Sequence, residues 1–186
     1  MYGLIHKSAR DMVINELGTH EWDQVVARAN LDDEDFLALK SYDDTVLLNL
    51  LDAVVHISGI PLPGLLHKFG FHFITRTAYV HYAAVMDTHG RSLWELLANL
   101  NHMHDRMASS FPAYRPPTFT LLPLDTGDYE LIYISDRQGL TPFVEGLLDG
   151  LAFQFQTMVS VSIIEDTTNG SGQTTRFLLK PATHNE

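Results

Sequence analysis

The spacing of apolar residues changes period at a cluster of prolines, Pro112, Pro116 and Pro117, and that switch constrains the fold more than any other feature of the chain. Ahead of the cluster, apolar residues recur every three to four positions, the mark of helices that bury one face. Behind it they alternate with polar residues, the mark of half-buried strands. Proline has no amide hydrogen for either ladder, so the cluster closes the helical part.

The helical part divides at local signals. Ile5, Met12 and Val13 share one helical face between Tyr2 and Leu17, with Gly18 as a stop. Trp22, Val25, Val26 and Ala29 form a second, shorter stripe. Asp43 and Asp44 stand where an N-cap belongs, ahead of Val46, Leu47, Leu50, Leu51, Val54 and Val55, and Gly59 ends that run. Pro61 and Pro63 precede Leu65, Leu66, Phe69 and Phe73, and a further helix is predicted from Ser92 to about Phe111. In the second part, Thr118 to Leu122 and Tyr129 to Ser135 read as strands joined at Thr126-Gly127-Asp128. Leu140, Phe143, Val144, Leu147, Leu148, Leu151 and Phe155 line one helical face. Val159, Val161 and Ile163 alternate with serines, and Asn169-Gly170 turns into a last strand from about Thr174 to Lys180. The expected fold is α+β within a single domain over 1–186, with a helical lobe over about 1–115 and a β-β-α-β-β lobe with an antiparallel sheet over about 116–186.

Composition narrows the chemistry. Lys and Arg number 12 against 23 Asp and Glu, a formal net charge of -11, which repels phosphate backbones and anionic lipid. Neither nucleic acid nor a membrane is an expected partner. Cysteine is absent, which removes disulfides, thiolate nucleophiles, iron–sulfur clusters and cysteine-bound zinc. The 10 histidines are then the main source of metal ligands or bases. The start, MYGLIHKSARDMV, has no long apolar run, and no stretch is apolar enough to span a membrane, so a cytoplasmic protein is expected.

Two constellations carry possible chemistry. In SLWELLANLNHMHDRMASSF, helical geometry puts Leu93, Leu96, Leu97, Leu100 and Met107 on one face, with His104 in its midst. His102 is two positions back, about 200° round the helix, and points to the other side. A helix cannot aim both rings at one ion. His104 is therefore either a core histidine satisfied by a carbonyl or a single axial ligand to a metal in an apolar cavity. Tyr133, Ser135 and Arg137 stand at alternate positions in a predicted strand, which would place a phenol, a hydroxyl and a guanidinium on one face. That set is either a solvated strand face or a donor cluster suited to carboxylates.

The run Tyr133-Ile134-Ser135-Asp136-Arg137 resembles the YxSxR motif of the haem nitric oxide/oxygen binding (H-NOX) domains, the sensor domain of soluble guanylate cyclases and their bacterial relatives. LNHMHDRMASSFPAYRPPTF resembles that family's proximal-histidine segment, Met1-Tyr2-Gly3-Leu4-Ile5 is similar to its start, and the length matches a stand-alone bacterial member. YxSxR alone is a weak pattern; the histidine upstream with the intervening Arg-Pro-Pro makes it specific. The resemblance implies haem b (iron protoporphyrin IX) buried between the lobes, with His104 as the iron ligand. It implies that Tyr133, Ser135 and Arg137 hold the propionates, that Pro117 presses on the porphyrin, and that Ile5, Phe73, Phe143 and Leu147 line the distal side.

It further implies a sensor without enzymatic activity. Such a sensor takes nitric oxide and carbon monoxide and signals to a histidine kinase or a cyclic-nucleotide enzyme by release of His104. Oxygen-binding members carry a distal tyrosine. Here that stretch reads Gly139-Leu140-Thr141-Pro142-Phe143-Val144, so O2 is expected to be excluded; Thr141, read as a helix cap, and His72 are the remaining polar groups nearby. The competing readings are an HD-type metal-dependent hydrolase using His104-Asp105, and a haem O2 carrier or sensor.

Overall fold

The computed structural model describes residues 1–31, 36–111, 113–170 and 172–182. Pro112, one of the three boundary prolines, lies outside the described residues. The chain runs through α1 (Gly3–Glu16), α2 (Thr19–Ala29), α3 (Asp44–Ser58) and α4 (Leu62–His72), then a π-helical stretch (Phe73–Ala78), α5 (Tyr79–Asp87) and α6 (Leu93–Ser110). It continues as β1 (Thr118–Pro123), β2 (Tyr129–Ser135), α7 (Thr141–Gln154), β3 (Val159–Asn169) and β4 (Gly172–Pro181). A helical part followed by β-β-α-β-β is the α+β order expected.

Local chemistry sets the helix ends. The Asp43 carboxylate accepts from the Thr45 amide at 2.9 Å and starts α3, and Gly59 ends it in the left-handed region at φ 69°. Ser92 accepts from the Glu95 amide at 3.2 Å, and the Glu95 carboxylate accepts from the Arg91 amide at 2.8 Å, so both ends of one turn are tied where α6 begins. The segment between Phe73 and Ser92 has no clear apolar period. It widens to the π pitch directly after α4, a departure that recurs at functional sites.

The four strands form one antiparallel sheet in the order β1-β2-β4-β3. Tyr133 lies opposite Phe119 on β1 and Thr175 on β4. Two apolar interiors result. The first is built from α1 to α4, with Trp22, Leu50, Leu65 and Phe69 among its buried residues. The second joins the sheet to α7 and also takes Leu93, Leu96, Leu97, Leu100 and Met103 from α6, because the apolar stripe of that helix faces the strands. α7 serves both: Phe143 and Leu140 pack on the first interior, while Val144, Leu148 and Leu151 are buried in the second. Among the described residues no single helix is long and apolar enough to cross a membrane.

Candidate functional site

α6 carries His104 on its inward side. The ring lies 6.0 Å from Tyr114, nearly perpendicular to it, and 6.0 Å from Phe119 on β1. Burial pulls its pKa below the ordinary histidine value, with the nearby Pro117 carbonyl and Asp105 opposing. The imidazole is thus held neutral, the form that offers a lone pair to a metal. Its Nδ1 is buried, and among the described residues no side chain bonds to it; the Pro117 backbone lies near enough to raise its pKa. A neutral imidazole turned into an apolar surround, with no side chain bonded to it among the described residues, is what the ligand alternative requires. His102 is exposed, as the helical register requires.

The phenol and hydroxyl of the second constellation also face inward. Tyr133 is 2% exposed with its ring 5.4 Å from Phe119, and Ser135 is 8% exposed. Burial raises the Tyr133 pKa, opposed by the Ser135 hydroxyl and the Arg137 charge, so the phenol keeps its proton and can donate. Arg137 departs from the expected pattern. The strand stops at Ser135, and the Arg137 amide donates back to the Ser135 hydroxyl at 3.0 Å, which turns the chain. Its guanidinium then donates to Asp44 Oδ2 at 2.8 Å and to the Arg115 carbonyl at 3.1 Å. Strand alternation therefore does not place it; an ion pair with the first turn of α3 does. Burial raises the Asp44 carboxyl, but the Met1 ammonium and Arg137 outweigh it and leave the group below its usual range.

The third group straddles the two interiors. Phe143 lies 5.0 Å from Phe69 and 6.4 Å from Phe73, which opens the π-helical stretch. Leu147 and Phe73 pack against the second interior, whereas Ile5 on α1 packs against the first. Tyr133, Phe73 and Leu147 thus border one apolar cluster. Two polar groups lie near this region, His72 and Thr141. His72 is 9% exposed, and burial lowers its pKa; the charges that act on it are Asp11, Arg76 and Glu16, mostly on α1. Thr141 is no cap: Leu140 occupies that position, and the Thr141 hydroxyl accepts from Gln173 Nε2 at 2.6 Å and bonds Thr175 and Asp166 at 3.0 and 3.3 Å. Its capacity is spent in tying α7 to β3 and β4.

A family model described as haem-NO-binding matches residues 2–163. The chain belongs to the haem-NO-binding family. The matched region is a haem-based gas-sensing, ligand-binding domain. Soluble guanylate cyclase gcy-31 of Caenorhabditis elegans is 24% identical over 166 residues, 89% of this chain and 24% of that protein. Soluble guanylate cyclase 89Da of Drosophila melanogaster is 22% identical over 175 residues, 94% of this chain and 26% of that protein. The chain spans about a quarter of the length of these relatives. An H-NOX protein from S. oneidensis in the Fe(II)NO ligation state superposes with a TM-score of 0.86 at 21% identity, covering 98% of this chain and 100% of the other. The I5F mutant of T. tengcongensis H-NOX gives 0.89 at 18% identity and 98% of each chain. At such identities the likeness establishes the fold.

The residues present in this haem-NO-binding chain fit haem. A neutral, inward-facing imidazole, a buried phenol and hydroxyl leading to a guanidinium, and Phe73 and Leu147 against the apolar cluster that holds Tyr133 are groups that suit an apolar macrocycle with one imidazole ligand and two carboxylates. Sequence reasoning missed Tyr114, which lies beside His104 and whose hydroxyl burial pushes up to about 12, and Asp44, which orients Arg137. The Tyr114 signal was its place inside the Arg-Pro-Pro segment; Asp44 had none.

Proposed function

We propose that this chain senses nitric oxide, with His104 as its proximal ligand and an apolar distal wall that excludes O2. The neutral, inward-facing His104 imidazole carries the reading. When bound, ferrous haem supplies the iron at which the gas coordinates. Tyr133, Ser135 and Arg137 would hold the propionates, Pro117 would lie against the ring, and Ile5, Phe73, Phe143 and Leu147 would form the distal wall. His104 would tie α6 to the haem, and α6 packs on the sheet, so a change at His104 would be felt at that packing. The domain acts as one unit over 1–186, in the cytoplasm, binds carbon monoxide as well, and passes its signal to a histidine kinase or a cyclic-nucleotide enzyme. The HD-type hydrolase is disfavoured because Asp105 is exposed while His104 faces Tyr114 and Phe119.

Bound dioxygen gains from a hydrogen-bond donor, and NO needs none. Thr141 is committed to Gln173, and the wall residues Ile5, Phe73, Phe143 and Leu147 carry no side-chain donor. The reduced, haem-loaded protein exposed to air should keep no O2 spectrum, and should take up NO and CO. A persistent O2 spectrum would overturn the selectivity and return His72 to consideration.

The anchoring role has its own test. Arg137→Ala removes charge-assisted hydrogen bonds of about 1.5–3 kcal/mol. Haem affinity should fall roughly ten-fold or more, since about 1.4 kcal/mol is a factor of ten. Competition with a haem-scavenging protein measures it; unchanged haem transfer rates in the Tyr133, Ser135 and Arg137 single variants would exclude the role.

A further inference from the structure

His89 and His102 lie apart from the residues assigned to haem. His89 sits in the turn between α5 and α6 and is 5% exposed. Its Nδ1 lies 2.7 Å from the Val85 carbonyl and 3.1 Å from the Thr88 hydroxyl. A carbonyl only accepts, so Nδ1 carries the hydrogen and Nε2 keeps its lone pair. That Nε2 is buried, and among the described residues nothing hydrogen-bonds to it. The His102 ring stands beside it, centroids 5.5 Å apart and planes at 46°.

We propose that His89 and His102 form a two-histidine site for a divalent transition metal of the zinc, nickel or copper class. The distance agrees with the chemistry. A zinc bound at about 2.0–2.1 Å lies about 3.2 Å from the imidazole centroid, so a tetrahedral angle sets two centroids about 5.2 Å apart. The tautomer agrees as well. Metal-binding histidines ordinarily donate their other N–H to a carbonyl or carboxylate, as His89 does to Val85.

The turn is also held in place. Asn99 Nδ2 donates to the His89 carbonyl at 2.8 Å, and a Cβ on Gly90 would meet the Leu96 amide nitrogen at 2.3 Å, so the turn lies directly on the α6 backbone. Among the described residues no third His, Asp or Glu joins the pair, and His102 is exposed. Water reaching the exposed His102 side would fill the remaining positions, and the ion would exchange with solvent there. Imidazole nitrogen suits zinc, nickel and copper and not magnesium. An ion there ties the α5–α6 turn to the middle of α6, on the side away from His104.

Calorimetric titration of the haem-loaded protein with Zn²⁺ alone tests the site. One zinc should bind, with Mg²⁺ giving no heat. His102→Ala, at an exposed position that leaves the fold intact, should weaken zinc at least ten-fold, in line with the about 10–100-fold effects of disturbing even the outer contacts of a metal site. His89→Ala should do the same, and His20→Ala on α2 should change nothing. Absence of zinc binding, or equal affinity in the wild type and His102→Ala, overturns the proposal.

Discussion

Replacing His104 with glycine should leave a folded protein that holds haem poorly until imidazole is added. A glycine inside α6 costs about 1 kcal/mol of helix stability, small against the about 5–15 kcal/mol of a typical domain. On the proposed role, the chain then loses its iron ligand. The gap beside Phe119 and Tyr114 has room for the lost ring and an apolar wall to hold it. Free imidazole should restore both the haem content and the absorption spectrum. His102→Ala removes a ring that is exposed on the other side of α6, and its haem spectrum should match the wild type. The opposite outcome, with haem lost from His102→Ala and kept by His104→Gly, would reverse the assignment of ligand and surface histidine.

The second large effect is expected at Gly146. α4 and α7 meet backbone to backbone: a Cβ on Gly146 would lie 2.0 Å from the His67 carbonyl oxygen, and one on Gly70 would lie 2.1 Å from the Phe143 carbonyl oxygen. Backbone atoms of a helix cannot turn aside as a side chain does, so Gly146→Ala must push the helices apart. Overpacking of this kind costs about 1–3 kcal/mol or more, which lowers the melting temperature by about 2–4 °C per kcal/mol in a chain of this size. The damage should extend to ligand binding, because α7 bears Phe143 and Leu147 and the stretch after α4 bears Phe73. Gly64→Ala is the internal control. Its Cβ would meet only Ile60 Cγ2 at 3.8 Å, and the gain in helix propensity should raise stability by up to about 1 kcal/mol. Thermal melts of the two variants decide the matter; equal melting temperatures would mean that the α4–α7 seam opens without cost.

Signals that act within a few residues were legible in the sequence. Asp43, Ser92, Gly18 and Gly59 mark helix ends because a cap or a left-handed turn is satisfied by the residue itself and its neighbours. The apolar stripe of α6 and the opposed faces of His102 and His104 follow from helical pitch alone. The inward turn of Tyr133 and Ser135 follows from strand alternation. The YxSxR run and the Arg-Pro-Pro segment then gave the family, since both lie within short stretches of chain.

What failed or stayed silent depends on partners far along the chain. Arg137 was placed on a strand face because alternation was continued past Ser135; its position is decided by Asp44, 93 residues away. Thr141 read as a cap because a hydroxyl at a helix start usually is one; its buried partners Gln173 and Thr175 lie on β4, and a paired hydroxyl in a closed interior outweighs a solvent-exposed cap. The π pitch after His72, the glycine contact between α4 and α7, and the approach of His89 to His102 leave no periodic trace. Periodicity records which side of an element is buried and not what buries it. The sequence alone determined the elements, their faces and the family to which their motifs belong. The tertiary structure decided which side chains meet, because those pairings arise only when separate apolar faces close on one another.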